Sequence, residues 1–401
     1  MTCTKRRLAS LLAMLAVIAL LASACSDSKK SSTKGSSDSG AATDASASSG
    51  SSSSSSSGES SSSGGGSSTA DTTPTAVLKG AAGVINGGGS SLQDTYEQKV
   101  KDGFVPAVAK AGGNAQVNYT KSGSSDGKKQ LAAGTLDFAG SDSPIKDDEK
   151  PTFGGKTILY FPIVASPITV AFHLQGVTQL KLNADTIAKI FQGEVSTWDD
   201  PAIKADNPDA KLPATKITVV HRSDGSGTTS NFTKYLKAAA PTTWKLDAGE
   251  TVQWPATTQG AQNSTGVTAA IKQTDGAVGY ADLSDAAKEN LDVAEVKNAA
   301  GKFTRPTPDG ASAALASATV NPDLTYNPLN AAGADAYPIT SPTWILVPAK
   351  VADPAKAATL KAYVTYALTE GQSQAKSLFY APLSDSLRKM ALAQVAQITT
   401  G

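Results

Sequence analysis

From Ala76 to Gly401, short apolar runs alternate with segments of helical period, and that alternation leaves few architectures open. "QVNYT" (Gln116 to Thr120), "LDFAG" (Leu136 to Gly140), "ITVAF" (Ile168 to Phe172), "KITVV" (Lys216 to Val220), "GAVGYA" (Gly276 to Ala281) and "WILVP" (Trp344 to Pro348) read as strands. "LQDTYEQKVKDGFVPAVAKAG" carries apolar residues at Leu92, Tyr96, Val100 and Phe104, the i, i+4 spacing of one helical face. "NADTIAKIFQG" (Asn183 to Gly193) has an Asn/Asp start and a Gly stop, and "PAKAATLKAYVTYALTEGQ" (Pro354 to Gln372) opens on proline and ends near glycine. Strands alternating with helices imply an α/β architecture with mainly parallel sheets. The stretch is long enough for about two domains.

Three of the expected strand-to-helix junctions are rich in small residues. "INGGGSSLQDTY" (Ile85 to Tyr96) places three glycines and two serines before the first helix. "YTKSGSSDGKKQL" (Tyr119 to Leu131) places Ser122, Gly123, Ser124 and Ser125 at the second, and "HRSDGSGTTSNF" (His221 to Phe232) forms the third. A helix start leaves N–H groups unpaired and carries partial positive charge, so it favours an anion. Glycines let the backbone approach, and the hydroxyls and the Arg222 guanidinium can complete a cage. Singly, such turns are ordinary capping sequences. Three together fit the rule that α/β ligand sites lie at the carboxyl ends of strands. A nucleotide loop is excluded by spacing. "GSSDGKK" has one residue too few between its glycines, Lys129 stands where a magnesium-binding Ser or Thr belongs, and "SDGSGTT" has no lysine.

Asp142 in "LDFAGSDSPI" has a structural reading as a cap or turn former. Its functional reading is sharper. A carboxylate facing a bound oxyanion is repulsive unless the anion has a proton to donate. Beside an arginine and hydroxyls, Asp142 therefore selects a protonated oxyanion, HPO₄²⁻ or H₂PO₄⁻, over fully ionised sulfate. Two other classes stay open. One is a binder of another oxyanion, such as sulfate or molybdate. The other is a secreted hydrolase pairing a serine of these turns with His221, although no G-x-S-x-G elbow accompanies it. His173 and His221 otherwise read as structural, and two histidines without matching acidic spacing make no metal site.

"MTCTKRRLASLLAMLAVIALLASAC" has a basic start (Lys5, Arg6, Arg7), an apolar core and small residues before Cys25, the pattern of a secretion signal over 1–24. Its apolar stretch is shorter than the ~20 residues of a membrane span. "LASAC" resembles a bacterial lipobox, which implies lipidation of Cys25. The chain has two cysteines, Cys3 and Cys25, so removal of the signal leaves no disulfide pair and no cysteine metal site. From Cys25 to residue 77 the sequence is Ser/Gly-rich and reads as a disordered tether. Net charge is +1, and the part after the signal is −2 because three basic residues and no acid precede Cys25. That balance gives no footprint for nucleic acid.

Seven segments occur in order across Lys79 to Leu392: "GGGSSL", "SGSSDGKKQLAAGTLDFAGSDSPI", "FQGEVSTWDDPAI", "HRSDGSGTTSNFTKYL", "TVQWP", "GAVGYADL" and "YPITSPTWILV". Together they resemble the substrate-binding lipoprotein of the bacterial high-affinity ABC phosphate importer. The R-x-D-G-S-G-T element, Arg222 to Thr228, is the most specific part. The resemblance implies a two-lobed type II periplasmic-binding-protein clamshell, with lobe 1 over 78–165 and 342–401, lobe 2 over 166–341, and crossings near Ala165 and Ser341. It implies phosphate contacts from Ser91, the Leu92 N–H, Ser124, Asp142, Arg222, Ser226, Gly227 and Thr228, with Asp224 holding the Arg222 guanidinium. Ser91 stands where the family often has Thr, and Leu92 where it often has Phe. Both keep the needed atoms. It further implies a non-enzymatic binding protein without a cofactor, anchored by lipid on the extracytoplasmic face. Its expected partners are the ABC permease's membrane subunits and ATPase.

Overall fold

The computed structural model describes residues 72–401. The expected signal peptide, the Cys25 lipidation site and the tether as far as residue 71 lie outside the described residues. The last residues expected in the tether are already structured. Thr73 bonds Thr369 and Glu370 through its hydroxyl, and Thr75–Lys79 forms a helical turn. A threonine hydroxyl facing a carboxylate gives this short piece an anchor that composition alone does not reveal.

One nine-stranded sheet organises the chain. Its main strands are β1 (Ala82–Gly89), β2 (Asn114–Lys121), β3 (Phe138–Ser141), β4 (Ile158–His173), β5 (Thr218–Arg222), β6 (Gln259–Ala261), β7 (Ala277–Asp282) and β8 (Thr340–Pro348). The order across the sheet is β2-β1-β3-β8-β4-β7-β5-β6, with the short pair Asp292–Val293 added to β4. Two parallel wings result. In one, β1 pairs in parallel with β2 and β3; in the other, β5 pairs in parallel with β6 and β7. Between them lie two long antiparallel strands, β4 and β8, as a chain that passes out and returns requires.

Strand β4 is much longer than the "ITVAF" read from sequence. Its first half pairs with β8 up to Pro167 opposite Thr340, and its second half pairs with β7 from Ile168 opposite Asp282. Nearly every residue along it is buried, which erases the polar alternation that marks a strand edge. Ala165 sits opposite Pro342 and Ser166 opposite Ser341 in the ladder, so both positions named as crossings lie on adjoining strands.

The helices follow their sequence signals. Helix α1 (Asp94–Ala111) buries Tyr96, Val100, Phe104 and Val108 and stops at Gly112, whose φ of 86° is left-handed. Helix α2 is Ser124–Ala133, and α3 (Ala184–Phe191) is capped by Asn183, which accepts the Thr186 N–H at 2.9 Å. Helix α4 is Gly227–Ala239, α5 is Asn263–Gln273 and α6 is Pro354–Leu368. The core joins both wings through Phe138, Phe161, Phe172, Tyr280, Trp344 and Tyr363. Among the described residues no helix is long and apolar enough to cross a membrane.

The glycines of "INGGGSS" do not form the turn their sequence suggests: Gly87–Gly89 complete strand β1. Contact with neighbouring elements explains it. A Cβ on Gly87 would fall 2.0 Å from the Phe138 ring, and one on Gly89 would fall 2.3 Å from the Gly140 carbonyl. The chain is glycine here because neighbours lie too close for a side chain.

Candidate ligand cleft

Strands β1, β2, β3 and β5 end at Gly89, Lys121, Ser141 and Arg222, and every expected contact residue follows one of those ends or closes it. The parallel wings put these carboxyl ends together, which is where α/β sheets present loops to a ligand.

After β1, the Ser90 N–H donates to the Gly140 carbonyl at 2.8 Å. The Ser90 hydroxyl donates to Asp142 Oδ1 at 2.5 Å and accepts the Leu92 N–H at 3.1 Å. Ser91 turns toward α5, where its Oγ lies 3.2 Å from Ser264 Oγ and accepts the Ser264 N–H at 3.2 Å. The expected donors Ser91 and Leu92 N–H thus have partners of their own in this arrangement.

After β2, the N–H groups of Ser122 and Gly123 both donate to the Gly89 carbonyl, at 2.9 and 2.7 Å. Ser124 opens α2, is fully buried, and its hydroxyl accepts the Asp142 N–H at 3.2 Å. The next residue ties this loop to the third one: Ser125 N–H donates to the Gly225 carbonyl at 3.1 Å.

The third loop carries the guanidinium. Arg222 Nε donates to Asp224 Oδ1 at 2.7 Å, and its Nη2 closes a second bond to Oδ2. Asp224 also accepts the Asn263 N–H at 3.0 Å. Burial works to raise the Asp224 carboxyl, but the Arg222 hydrogen bonds and charge hold it below the usual carboxylate range. A buried arginine so paired is fixed in direction and keeps donors to spare. Ser226 caps α4 by accepting the Thr229 N–H at 3.1 Å. Gly227 is wedged against the opposite wing: a Cβ there would lie 2.5 Å from Ser124 Oγ and 2.8 Å from Asp142 Cβ. Thr228 Oγ1 reaches Asp142 Oδ2 at 3.4 Å.

Asp142 is where the loops converge. It is 1% exposed. Burial pushes its carboxyl up to about 6, against the pull of the Ser90 and Thr343 hydroxyls, the Arg222 charge and the Thr228 hydroxyl. Two hydroxyls saturate Oδ1, whereas Oδ2 has only the long Thr228 contact. Oδ2 is the acceptor available to a donor in the cleft. Arrangement of a fixed cation, several hydroxyls, a helix start and one such acceptor suits an anion that carries a proton.

Several participants have no local signal in sequence. Thr343, from the middle of β8, donates to Asp142 Oδ1 at 2.7 Å. Asn231 Nδ2 donates to the Asp142 carbonyl at 2.6 Å and to Ser341 Oγ at 2.9 Å. Glu250, from the segment between α4 and β6, meets residues of the opposite wing. Thr343 lies mid-strand, Asn231 within α4 and Glu250 in a connecting segment, so only the packing of the two wings brings them to Asp142 and its loops.

His221 does not serve a nucleophile. Its ring stacks on Trp254 with centroids 5.0 Å apart, and its Nδ1 lies 2.9 Å from the Arg222 carbonyl. The triad arrangement instead needs a carboxylate on that nitrogen. Among the described residues no cluster of three or more His, Cys, Asp or Glu could hold a metal ion.

A family model described as a PBP superfamily domain matches residues 36–370. The phosphate-binding protein PstS of Xylella fastidiosa (strain Temecula1) is 36% identical over 279 residues, spanning 68% of this chain and 76% of the relative. That of Methanocaldococcus jannaschii is 38% identical over 283 residues, 65% of this chain and 72% of the relative. Among solved structures, the periplasmic phosphate-binding protein PfluDING, bound with phosphate, superposes with a TM-score of 0.65 at 23% identity, covering 78% of this chain and 94% of that one. This last likeness is one of fold, the type II periplasmic-binding-protein arrangement.

Proposed function

We propose that this chain, which belongs to the PstS phosphate-binding proteins of the PBP superfamily, binds inorganic phosphate in the cleft between its two wings and delivers it to an ABC permease for uptake. The observation that carries the reading is Asp142, a buried carboxylate whose Oδ2 lacks a strong donor and which shares a cleft with the fixed charge of Arg222. A protonated oxyanion satisfies both groups at once. Phosphate takes charge-assisted hydrogen bonds from Arg222 and N–H bonds from the start of α4, and donates a hydrogen bond through its own P–OH to Asp142 Oδ2. Ser91, Ser124, Ser226 and Thr228 contribute hydroxyls, and the N–H groups of Gly227 and of Leu92, which exchanges its bond to Ser90 Oγ for one to the anion, complete the shell. Asp224 orients the guanidinium.

The two lobes of this reading are 78–165 with 342–401, and 166–341. Continuity of β4 and β8 through the junction supports it, because only these two antiparallel strands need flex for the wings to separate. The relatives are named as binding proteins, which supports a role without chemistry on the ligand. Placement outside the cytoplasm with a lipid on Cys25 follows from the signal-like start and the lipobox-like "LASAC".

Equilibrium titration of the purified chain with phosphate and with sulfate at pH 7.5 tests the reading. Saturable phosphate binding with sulfate at least about 100-fold weaker is expected from an unpaired acceptor in the cleft. Equal affinities, or preference for sulfate, would make the protein a binder of another oxyanion.

A further inference from the structure

We infer that Glu250 is the clasp that holds the two wings together around the bound anion, and so sets how long the anion stays. This rests on the phosphate-binding reading above, and it assigns to Glu250 a positioning role rather than contact with the ligand.

Glu250 is 3% exposed and lies in the segment between α4 and β6, on the β5-β6-β7 side. All its side-chain partners come from the other side. Ser125 Oγ, in α2, donates to Oε2 at 2.6 Å. Ser143 Oγ, just past β3, donates to Oε1. Lys128 Nζ, also in α2, lies 2.9 Å from Oε1. Lys128 is itself 2% exposed and has a second carboxylate partner, Glu149, at 2.7 Å. On its own side, the Glu250 carbonyl accepts the Ser226 N–H at 2.9 Å.

The neighbours chosen are informative. Ser125 follows Ser124, Ser143 follows Asp142, and Ser226 is itself a proposed contact. The Glu250 carboxylate therefore ties down the loops after β2 and β3 at one remove from the ligand, while its backbone carbonyl holds the loop after β5. The satisfaction is also conditional on closure. With the wings apart, Glu250 and Lys128 regain water and lose one another. With the wings together, both are stripped of water; Lys128 keeps Glu149, whereas Glu250 is compensated by Lys128 and the two serine hydroxyls of the other wing. Truncating one partner of such a pair acts chiefly on the rate of separation. The clasp is built from side chains that do not touch the anion, so it can lengthen residence without changing which anion is chosen.

The test compares the full chain with Glu250→Gln and, as a second variant, Lys128→Met. Dissociation of phosphate, followed by exchange of labelled for unlabelled phosphate, is expected to quicken by roughly 10–100-fold, with the association rate changed by less than about 3-fold. The phosphate-to-sulfate affinity ratio is expected to stay at the parent value, which a general loosening of the site would not do. Unchanged dissociation in both variants overturns the clasp. A parent protein that binds no phosphate overturns the functional reading instead, and the clasp is then judged by hydrogen exchange without ligand. Faster exchange of the Ser125 and Ser226 amides in Glu250→Gln supports it, and equal exchange in parent and variant overturns it.

Discussion

Thr343 Oγ1 donates to Asp142 Oδ1 at 2.7 Å, joining two residues 201 positions apart in the chain. The bond occupies one lone pair of the carboxylate and, with Ser90 on the same oxygen, leaves Oδ2 as the less occupied oxygen. It also favours the charged form of Asp142, opposing the burial that pushes its carboxyl up to about 6. Thr343→Val removes the donor while keeping the shape. The carboxyl should then rise further, so that at pH 6–7 more of the protein holds a proton where the ligand's proton must go. Phosphate affinity should fall about 10-fold near pH 6.5, as a lost hydrogen bond to a charged group implies, and recover as pH rises. Calorimetric titrations across pH 6–9 check it; a uniform loss at every pH would mean that Thr343 only packs.

A second buried acid predicts how stability varies with pH. Burial pushes Glu97 up to about 8, although Tyr363 donates to its Oε2 at 2.5 Å. The folded state thus holds this proton more tightly than the unfolded chain, whose carboxyl titrates near its ordinary value. Stability from this group is full at acidic pH, falls as pH rises from about 4.5 to about 8, and is level above that. Glu97→Gln keeps the neutral form at every pH. The variant should match its parent near pH 4 and exceed it by a few kcal/mol, several degrees in melting temperature, at pH 9. Thermal melts at the two pH values decide it, since an equal difference at both would remove Glu97 from the account.

Much of this architecture is legible in the sequence. Strand-helix alternation gave the α/β class, and the capping residues of α3 and the apolar stripe of α1 marked real helices. Arg222, Asp224 and Ser226 were readable because a strand end, a turn and a helix cap all fall within one short local sequence. Thr343, Asn231 and Glu250 were not. Each is an ordinary polar residue whose role depends on a partner about 90 to 200 positions away, brought close by the order of strands rather than by sequence. The same holds for Gly87, whose lack of a side chain is dictated by the Phe138 ring of a neighbouring strand.

Gly227 gives a steric test of closure. An added methyl would lie 2.5 Å from Ser124 Oγ, 2.8 Å from Asp142 Cβ and 3.0 Å from the Asp142 nitrogen, all atoms of proposed contact residues. Backbone conformation is not the obstacle, since Gly227 is the first residue of helix α4. The substitution Gly227→Ala should therefore keep the helix and hold the wings apart. Overpacking of this size implies a phosphate affinity roughly 10–100-fold weaker. Solution scattering with saturating phosphate should show a larger radius of gyration than the parent, and an unchanged affinity would show that the loops yield freely.

Anchoring is tested at Cys25. If the lipobox-like sequence is processed as proposed, Cys25→Ala removes the thiol that takes the lipid. A protein without that chain loses hydrophobic attachment worth about 0.8 kcal/mol per buried methylene. Fractionation should move the variant from the membrane to the soluble or secreted pool, or leave it unprocessed with its signal attached. Equal membrane retention of a processed variant would assign anchoring to something other than this cysteine.

Selectivity rests on Asp142 itself. Sulfate is fully ionised near neutral pH, so its oxygens would face the Asp142 carboxylate with no proton between them. In a cleft where the carboxylate is 1% exposed, that repulsion is poorly screened. In the proposed binding mode phosphate avoids it by donating to Oδ2, the oxygen that the protein leaves less occupied. Asp142→Asn replaces one acceptor with an amide donor and removes the charge, while Ser90 and Thr343 can still bond the remaining oxygen. Sulfate should gain affinity, and phosphate should lose some or hold steady, so the phosphate-to-sulfate ratio must fall by at least about 10-fold, the worth of one charge-assisted hydrogen bond. Titrating parent and variant with both anions at pH 7.5 measures that ratio directly. The same ratio in both proteins would reduce Asp142 to a turn former and place selectivity with the hydroxyls and Arg222.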